Sequence, residues 1–171
     1  AKKAEEAVEQ AEQTKDQADV DAAEALVEKL PEGEKKDELE KRLEKVQDEI
    51  DAAARAKALE EATAAVEKAE RTFKEEDYNT AKTLVDALDD SEAKTALENR
   101  LKDVKDAIEA EKAVVVAETE RTQEAVDTAR KLVNALKDSE KKTELTNRLN
   151  AIQAELDAQT TAQQELQDAI D

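Results

Sequence analysis

The side chains of this chain that could do chemistry are nearly all carboxylates. The sequence has 46 acidic against 27 basic residues and no His, Cys, Met or Trp, so proton shuttles near neutral pH, thiol nucleophiles and soft metal ligands are missing. What remains is paired carboxylates for acid–base work, or oxygen clusters for a hard cation. Pairs such as Glu5 with Glu9 and Glu60 with Glu61 fit the first type. On so acidic a helical surface they arise by frequency and read as a solvated face. Asp89, Asp90, Ser91 and Glu92 offer oxygens for calcium, but they lack the spacing of a calcium loop and the Gly of its sharp bend. A turn followed by a helix cap fits them better.

Three further groups stand out. Arg42, Arg100 and Arg148 recur in equivalent contexts. Each is expected to lay its stem beside the adjacent Leu and pair with a carboxylate of a neighbouring helix rather than act as a ligand hook. Phe73 and Tyr78, the only aromatics, are expected at the end of a small core rather than in a surface hot spot. Val114, Val115 and Val116 cannot all face one core, so one must turn to solvent or a partner. No catalytic, cofactor-binding or metal-binding residue is assigned, and the chain is expected to be non-enzymatic, with no cofactor.

Composition sets a conflict that the elements holding these residues must resolve. A net charge of -19 disfavours phosphate backbones and anionic lipid surfaces, so neither nucleic acid nor membrane insertion is expected. The longest apolar run, Ala113 to Ala117, is far short of the roughly 20 residues of a membrane span. Half of the hydrophobic residues are alanine, and Leu, Ile, Val and Phe make up 32 of 171, a proportion typical of disorder. Against this, the abundant Ala, Glu, Lys, Leu, Gln and Arg are the best helix formers, and Gly33 and Pro31 are the only Gly and Pro.

Internal repetition decides for helices. AVEQAEQT from Ala7 returns as AVEKAERT from Ala65, 58 residues on. DVDAAEALVEKL from Asp19 matches DYNTAKTLVDAL from Asp77 and, 48 further, AVDTARKLVNAL from Ala125. Leu39, Leu43, Val46 and Ile50 match Leu97, Leu101, Val104 and Ile108, then Leu145, Leu149, Ile152 and Leu156. The spacing draws a narrow apolar stripe with near-heptad period. The middle segments carry Val20, Ala23, Val27 and Leu30 with their counterparts, and the first segment of copy two carries Leu59, Ala62, Val66, Ala69 and Phe73. Three such stripes per copy close into a small three-helix bundle.

Turns are expected at Pro31 to Gly33, at Asp89 to Ser91 and at Asp138 and Ser139, with Ser capping the next helix. Asp19 and Asp77 are read as N-caps of the second helices, with Thr122 as the nearest substitute in copy three. Nothing interrupts a helix from Glu34 to about Thr72 or from Glu92 to about Thr122, so the last helix of one bundle is expected to continue as the first of the next. Residues 34 to 72 would then form a helix of roughly 60 Å. The fold expected is all-α, an elongated spectrin-like array of three bundles (1–51, 52–108 and 109–171) sharing linker helices, on the order of 110 Å if straight. The extra ten residues of the first linker, about 2.8 turns, would separate and rotate the first two bundles relative to the last two. Ala52 to Ala65 is expected to be the most exposed stretch.

The unit AxxAVxxAExT...DxDxAxxLVxxLP...KxxLxxRLxxVQxxID resembles the small helical repeats of Gram-positive cell-surface proteins. DVDAAEALVEKLPEGEKKDELEKRLEKVQ is similar to a helical module of Listeria-like and Bacillus-like surface proteins and of the C-terminal regions of insecticidal crystal proteins. More broadly the chain resembles GA-type and FIVAR-type three-helix modules and the helical stalks of S-layer proteins. The resemblance covers nearly the whole chain and rests on core Leu, Val and Ala. It implies an extracellular, wall-associated setting and a spacer or stalk role within a larger surface protein, as a monomeric fragment whose partners are the other domains of that protein. Its alternative is an adhesion module for a host protein, a cell-wall polymer or a neighbouring surface-protein subunit. The albumin-binding face of GA modules does not carry over, because its surface residues have no matches here position by position.

Overall fold

Few positions in this chain resist a helix, and the backbone is helical almost throughout. The computed structural model describes residues 1–171 as seven helices without a strand: α1 (Lys2–Thr14), α2 (Gln17–Glu28), α3 (Glu34–Thr72), α4 (Glu75–Asp86), α5 (Glu92–Glu120), α6 (Gln123–Asn134) and α7 (Glu140–Ile170). Both uninterrupted runs are single helices, α3 over 39 residues and α5 over 29.

The chain divides into two units, Ala1–Glu60 and Glu61–Asp171. In the first, α1 supplies Ala4, Val8 and Ala11, α2 supplies Val20, Ala23 and Val27, and the start of α3 supplies Leu39, Leu43 and Val46. Each triplet is spaced three and four residues apart, so it occupies one face of its helix. Alanine at three of these nine positions, Ala4, Ala11 and Ala23, allows close helix approach. Leu26, Leu30 and Ile50 close the margin half-buried.

In the second unit α5 is buried along its length, from Leu97, Leu101, Val104 and Ile108 to Ala110, Val114 and Ala117. The later residues share a core with Ala125, Val126, Ala129 and Val133 of α6 and Leu145, Leu149 and Ile152 of α7. The earlier ones accompany the buried Ala62, Val66 and Ala69 of α3 and Ala81 and Val85 of α4. Tyr78 is half-buried where the other copies have fully buried Val20 and Val126. No polar or charged residue is buried anywhere.

The turns correct several expectations. Asp19 and Asp77 do not cap α2 and α4. The caps are Asp16, which accepts from the Ala18 N–H, and Lys74, whose side chain makes no cap bond. Asp19 and Asp77 instead lie in the first helical turn and accept the hydroxyls of Thr14 (2.6 Å) and Thr72 (2.5 Å). Copy three has Glu120 and Ala125 there, and Thr122 caps α6 through the Ala125 N–H, so its first junction is a true turn. Phe73 does not continue the stripe of α3. With Lys15 and Arg121 it ends a helix in the left-handed conformation, φ 51 to 55°. The exposed stretch of α3 is also shorter than Ala52 to Ala65: residues 51–58 are all exposed, while Ala62 is buried. As expected, Ser91 and Ser139 cap α5 and α7 through the N–H groups of Lys94 and Lys142, each at 3.1 Å.

Candidate functional site

The surface around these cores is organised by ion pairs that repeat with the sequence. Arg42 grips Glu12 with two parallel bonds, Nε to Oε1 at 2.8 Å and Nη2 to Oε2 at 2.7 Å. Arg100 takes Glu70 and Arg148 takes Glu118, both again 30 residues apart. The three arginines thus tie the third helical segment of each copy to the first. The fork geometry matches a carboxylate, and it holds the Glu12 carboxyl below its usual range while raising the guanidinium of Arg42. Lys35 with Glu5 (2.9 Å) and Lys141 with Glu111 (3.1 Å) form a second recurring pair on the same helices. Gln17 with Gln47 and Gln123 with Gln153 form a third. These partners depend on which residues face each other across two helices, and the 30-residue spacing is the trace they leave in the sequence.

Two lysines also recur as C-terminal caps. Lys94 Nζ donates to the carbonyl oxygens of Leu88 (2.9 Å) and Asp86 (3.3 Å), and Lys142 Nζ donates to those of Leu136 (2.9 Å) and Asn134 (3.3 Å). Each places a positive charge at a helix end where carbonyls lack partners. Asp90 stays exposed beside Lys94, and Ser91 is the cap, so this stretch is organised as a turn.

The left-handed residue is where the copies differ. Lys15 and Arg121 reach across to Glu49 and Glu155, each 34 residues on. In copy two those positions hold Phe73 and Ala107. Phe73 lies half-buried at the edge of a groove of about 450 Å³, whose apolar lining includes Val104, Ala107 and Leu136. The Nζ of Lys141 stands 5.2 Å from the centre of its ring. Every cation lining the groove is held by a carboxylate: Arg100 by Glu70, Lys102 by Asp106, Lys137 by Asp103 and Lys141 by Glu111.

A second groove, about 380 Å³, runs between α2 and α3 in the first unit. Val27 and Leu43 form its floor, and Glu24, Glu28, Glu40, Glu44 and Asp48 line it. No lysine or arginine lines this groove. The same positions in copy two are Lys82, Asp86, Glu98, Lys102 and Asp106, and there Lys82 pairs with Asp86 and Lys102 with Asp106.

Of the valine run, Val114 is buried while Val115 and Val116 are each about half exposed. Leu166 and Ile170 near the end of α7 are more exposed still. No set of three acidic side chains converges as a metal site, and no helix is long and apolar enough to cross a membrane. No protein-family model, no curated protein and no solved structure matches the chain.

Proposed function

We propose that the chain is a tandem array of three three-helix bundles joined by shared helices, and that it serves as a non-enzymatic spacer or stalk in a bacterial cell-surface protein. The observation that carries this reading is the pair of long helices, each supplying buried residues at both of its ends: Leu39 and Val66 on α3, Leu97 and Val114 on α5. The threefold recurrence of the Arg–Glu clasp supports the same division. A helix that belongs to two bundles passes torsion and tension from one to the next without a flexible linker. The acidic exterior opposes sticking to neighbouring chains. The resemblance to Gram-positive surface repeats supports the wall-associated setting.

Small-angle scattering on the full chain tests the array. A single globule of this length has a radius of gyration of about 16 Å, whereas a rod of the length expected from the helices has one of about 30 Å. A value near the first would refute the spacer.

One observation favours a second reading, a binding module. The five carboxylates of the α2–α3 groove over an apolar floor suit a basic partner segment. A pull-down from serum and wall extract, repeated with Glu24, Glu40 and Glu44 changed to Gln, discriminates. A spacer retains nothing, while a binding module retains a partner that the triple variant loses.

A further inference from the structure

The second copy breaks the pattern at the left-handed turn in two places at once. Where copies one and three set a cation against a glutamate, copy two has Phe73 and Ala107. The residues around them explain the change. Phe73 faces Lys141 in the first turn of α7, and the groove beside it is lined by Leu136 and Ser139 from the α6–α7 turn as well as by Val104 and Ala107 of α5. Elements of the second and third copies therefore meet at this ring.

Burial follows the same line. Ile108 is buried at 6% exposure, while its counterparts Ile50 and Leu156 are half-buried. Ala107 is buried too, whereas Glu49 and Glu155 are exposed. Three ion pairs border the contact: Lys137–Asp103 joins the α6–α7 turn to α5, while Lys141–Glu111 and Arg100–Glu70 flank the ring. A glutamate at 107 would place a charge where Ala107 and Ile108 are buried, and a lysine at 73 would leave the cation of Lys141 facing another cation.

We propose that Phe73 is an inter-repeat clamp, and that it makes the second and third repeats unfold as one cooperative body. The left-handed position thus selects the joint: a cation there closes its own bundle, and an aromatic ring there reaches the next. The clamp rests on the repeat reading proposed above. Scattering tests that reading through shape and hydrogen exchange tests the clamp through coupling, so either can fail alone.

The test is native-state hydrogen exchange on the full chain, with Val133→Ala in α6 as the perturbation. In the otherwise unchanged protein it should lower protection at α4 amides around Ala81 and Val85 by the same factor as at α6. In a Phe73→Lys/Ala107→Glu background, which installs the cation and carboxylate of the other copies, the α6 loss should persist while the α4 factor falls to nearly one. Phe73→Ala removes the ring without adding charge and should give the same uncoupling if the double variant fails to fold. Protection in α4 that ignores Val133→Ala from the start would overturn the clamp, as would equal loss in α4 and α6 in every background.

Discussion

Leu39 and Leu145 occupy equivalent positions, both with 0% exposure, yet truncating them should have different consequences. Leu to Ala in a core costs about 2.7–5 kcal/mol, the upper part when the cavity cannot collapse. Helices tied at both ends by turns and clasps collapse poorly, so about 3–4 kcal/mol is expected at each site. The first unit spans residues 1–60, and at 0.05–0.15 kcal/mol per residue its stability is about 3–9 kcal/mol. Its core has nine buried residues, three of them alanine and only two leucine, which places it at the low end. The second unit has the other twenty buried hydrophobic residues and, by length, about 6–17 kcal/mol. Leu39→Ala should therefore largely unfold its unit at 25 °C, whereas Leu145→Ala should leave its unit folded with a lower midpoint. Circular dichroism at 222 nm should show Leu39→Ala losing about a quarter of the helical signal, that of α1, α2 and the start of α3. Exchange should locate the loss before residue 51 and keep Val66 and Ala69 protected. Equal midpoint shifts with no loss of signal at 25 °C would refute the reasoning, because they would mean that the two cores share their stability.

Other consequences are as direct. Ser139→Ala removes the acceptor for the Lys142 N–H and should cost about 1 kcal/mol; urea titration should show it as a midpoint shift at constant slope. A double-mutant cycle on Arg42 and Glu12, two-thirds or more covered and held by two bonds, should give a coupling near the upper end of about 0.2–1 kcal/mol. The same cycle on the exposed Lys82–Asp86 pair should give a smaller coupling, so the reverse order would refute the importance of the fork. The carboxyls of Glu5, Glu12 and Glu49 are depressed by hydrogen bonds from Lys35, Arg42 and Lys15. Their folded values lie below the unfolded value of about 4.3. Their stabilisation is complete above that pH and is lost as pH falls through the folded values. Acidification from neutral also relieves the repulsion of a -19 chain. Thermal midpoints should rise from pH 7 to about 5 and fall below about 4, and a monotonic rise to pH 3 would contradict the pairing.

Much of this fold is legible in the sequence because the sequence repeats it. The unbroken helices α3 and α5 follow from the lack of any breaker across 34–72 and 92–120. The stripes follow from Leu, Val and Ala spacing, and Ser91 and Ser139 announce their caps. The first junction departs from the expected caps in copies one and two, though not at Thr122 of copy three, for a physical reason. Its left-handed residues are Lys15, Phe73 and Arg121, none of them the Gly or Asn that usually marks such a turn. Asp19 and Asp77 imitate caps while serving Thr14 and Thr72 from inside the helix. Phe73 falls in phase with Ala62, Val66 and Ala69, so periodicity extends the stripe to it although α3 ends at Thr72. A comparison at 34-residue spacing would have found it, since Lys15–Glu49 and Arg121–Glu155 are opposite charges and Phe73–Ala107 is not. The sequence predicts that each Arg pairs with a carboxylate of a neighbouring helix, but which carboxylate depends on packing across two helices.

No polar or charged side chain is buried in the interior, and this bears on how the chain can go wrong. Leucine, valine and alanine at the same spacing in every copy do not distinguish a helix from its counterpart elsewhere in the chain. The clasps do not distinguish them either, because Arg42 would accept Glu70 or Glu118 as readily as Glu12. Exchange of equivalent helices between copies, or between molecules at high concentration, is thus opposed mainly by chain connectivity and by the few positions where copies differ. The domain-swapped dimer is the misassembly this sequence guards against least, and slow refolding at high protein concentration is where it should accumulate.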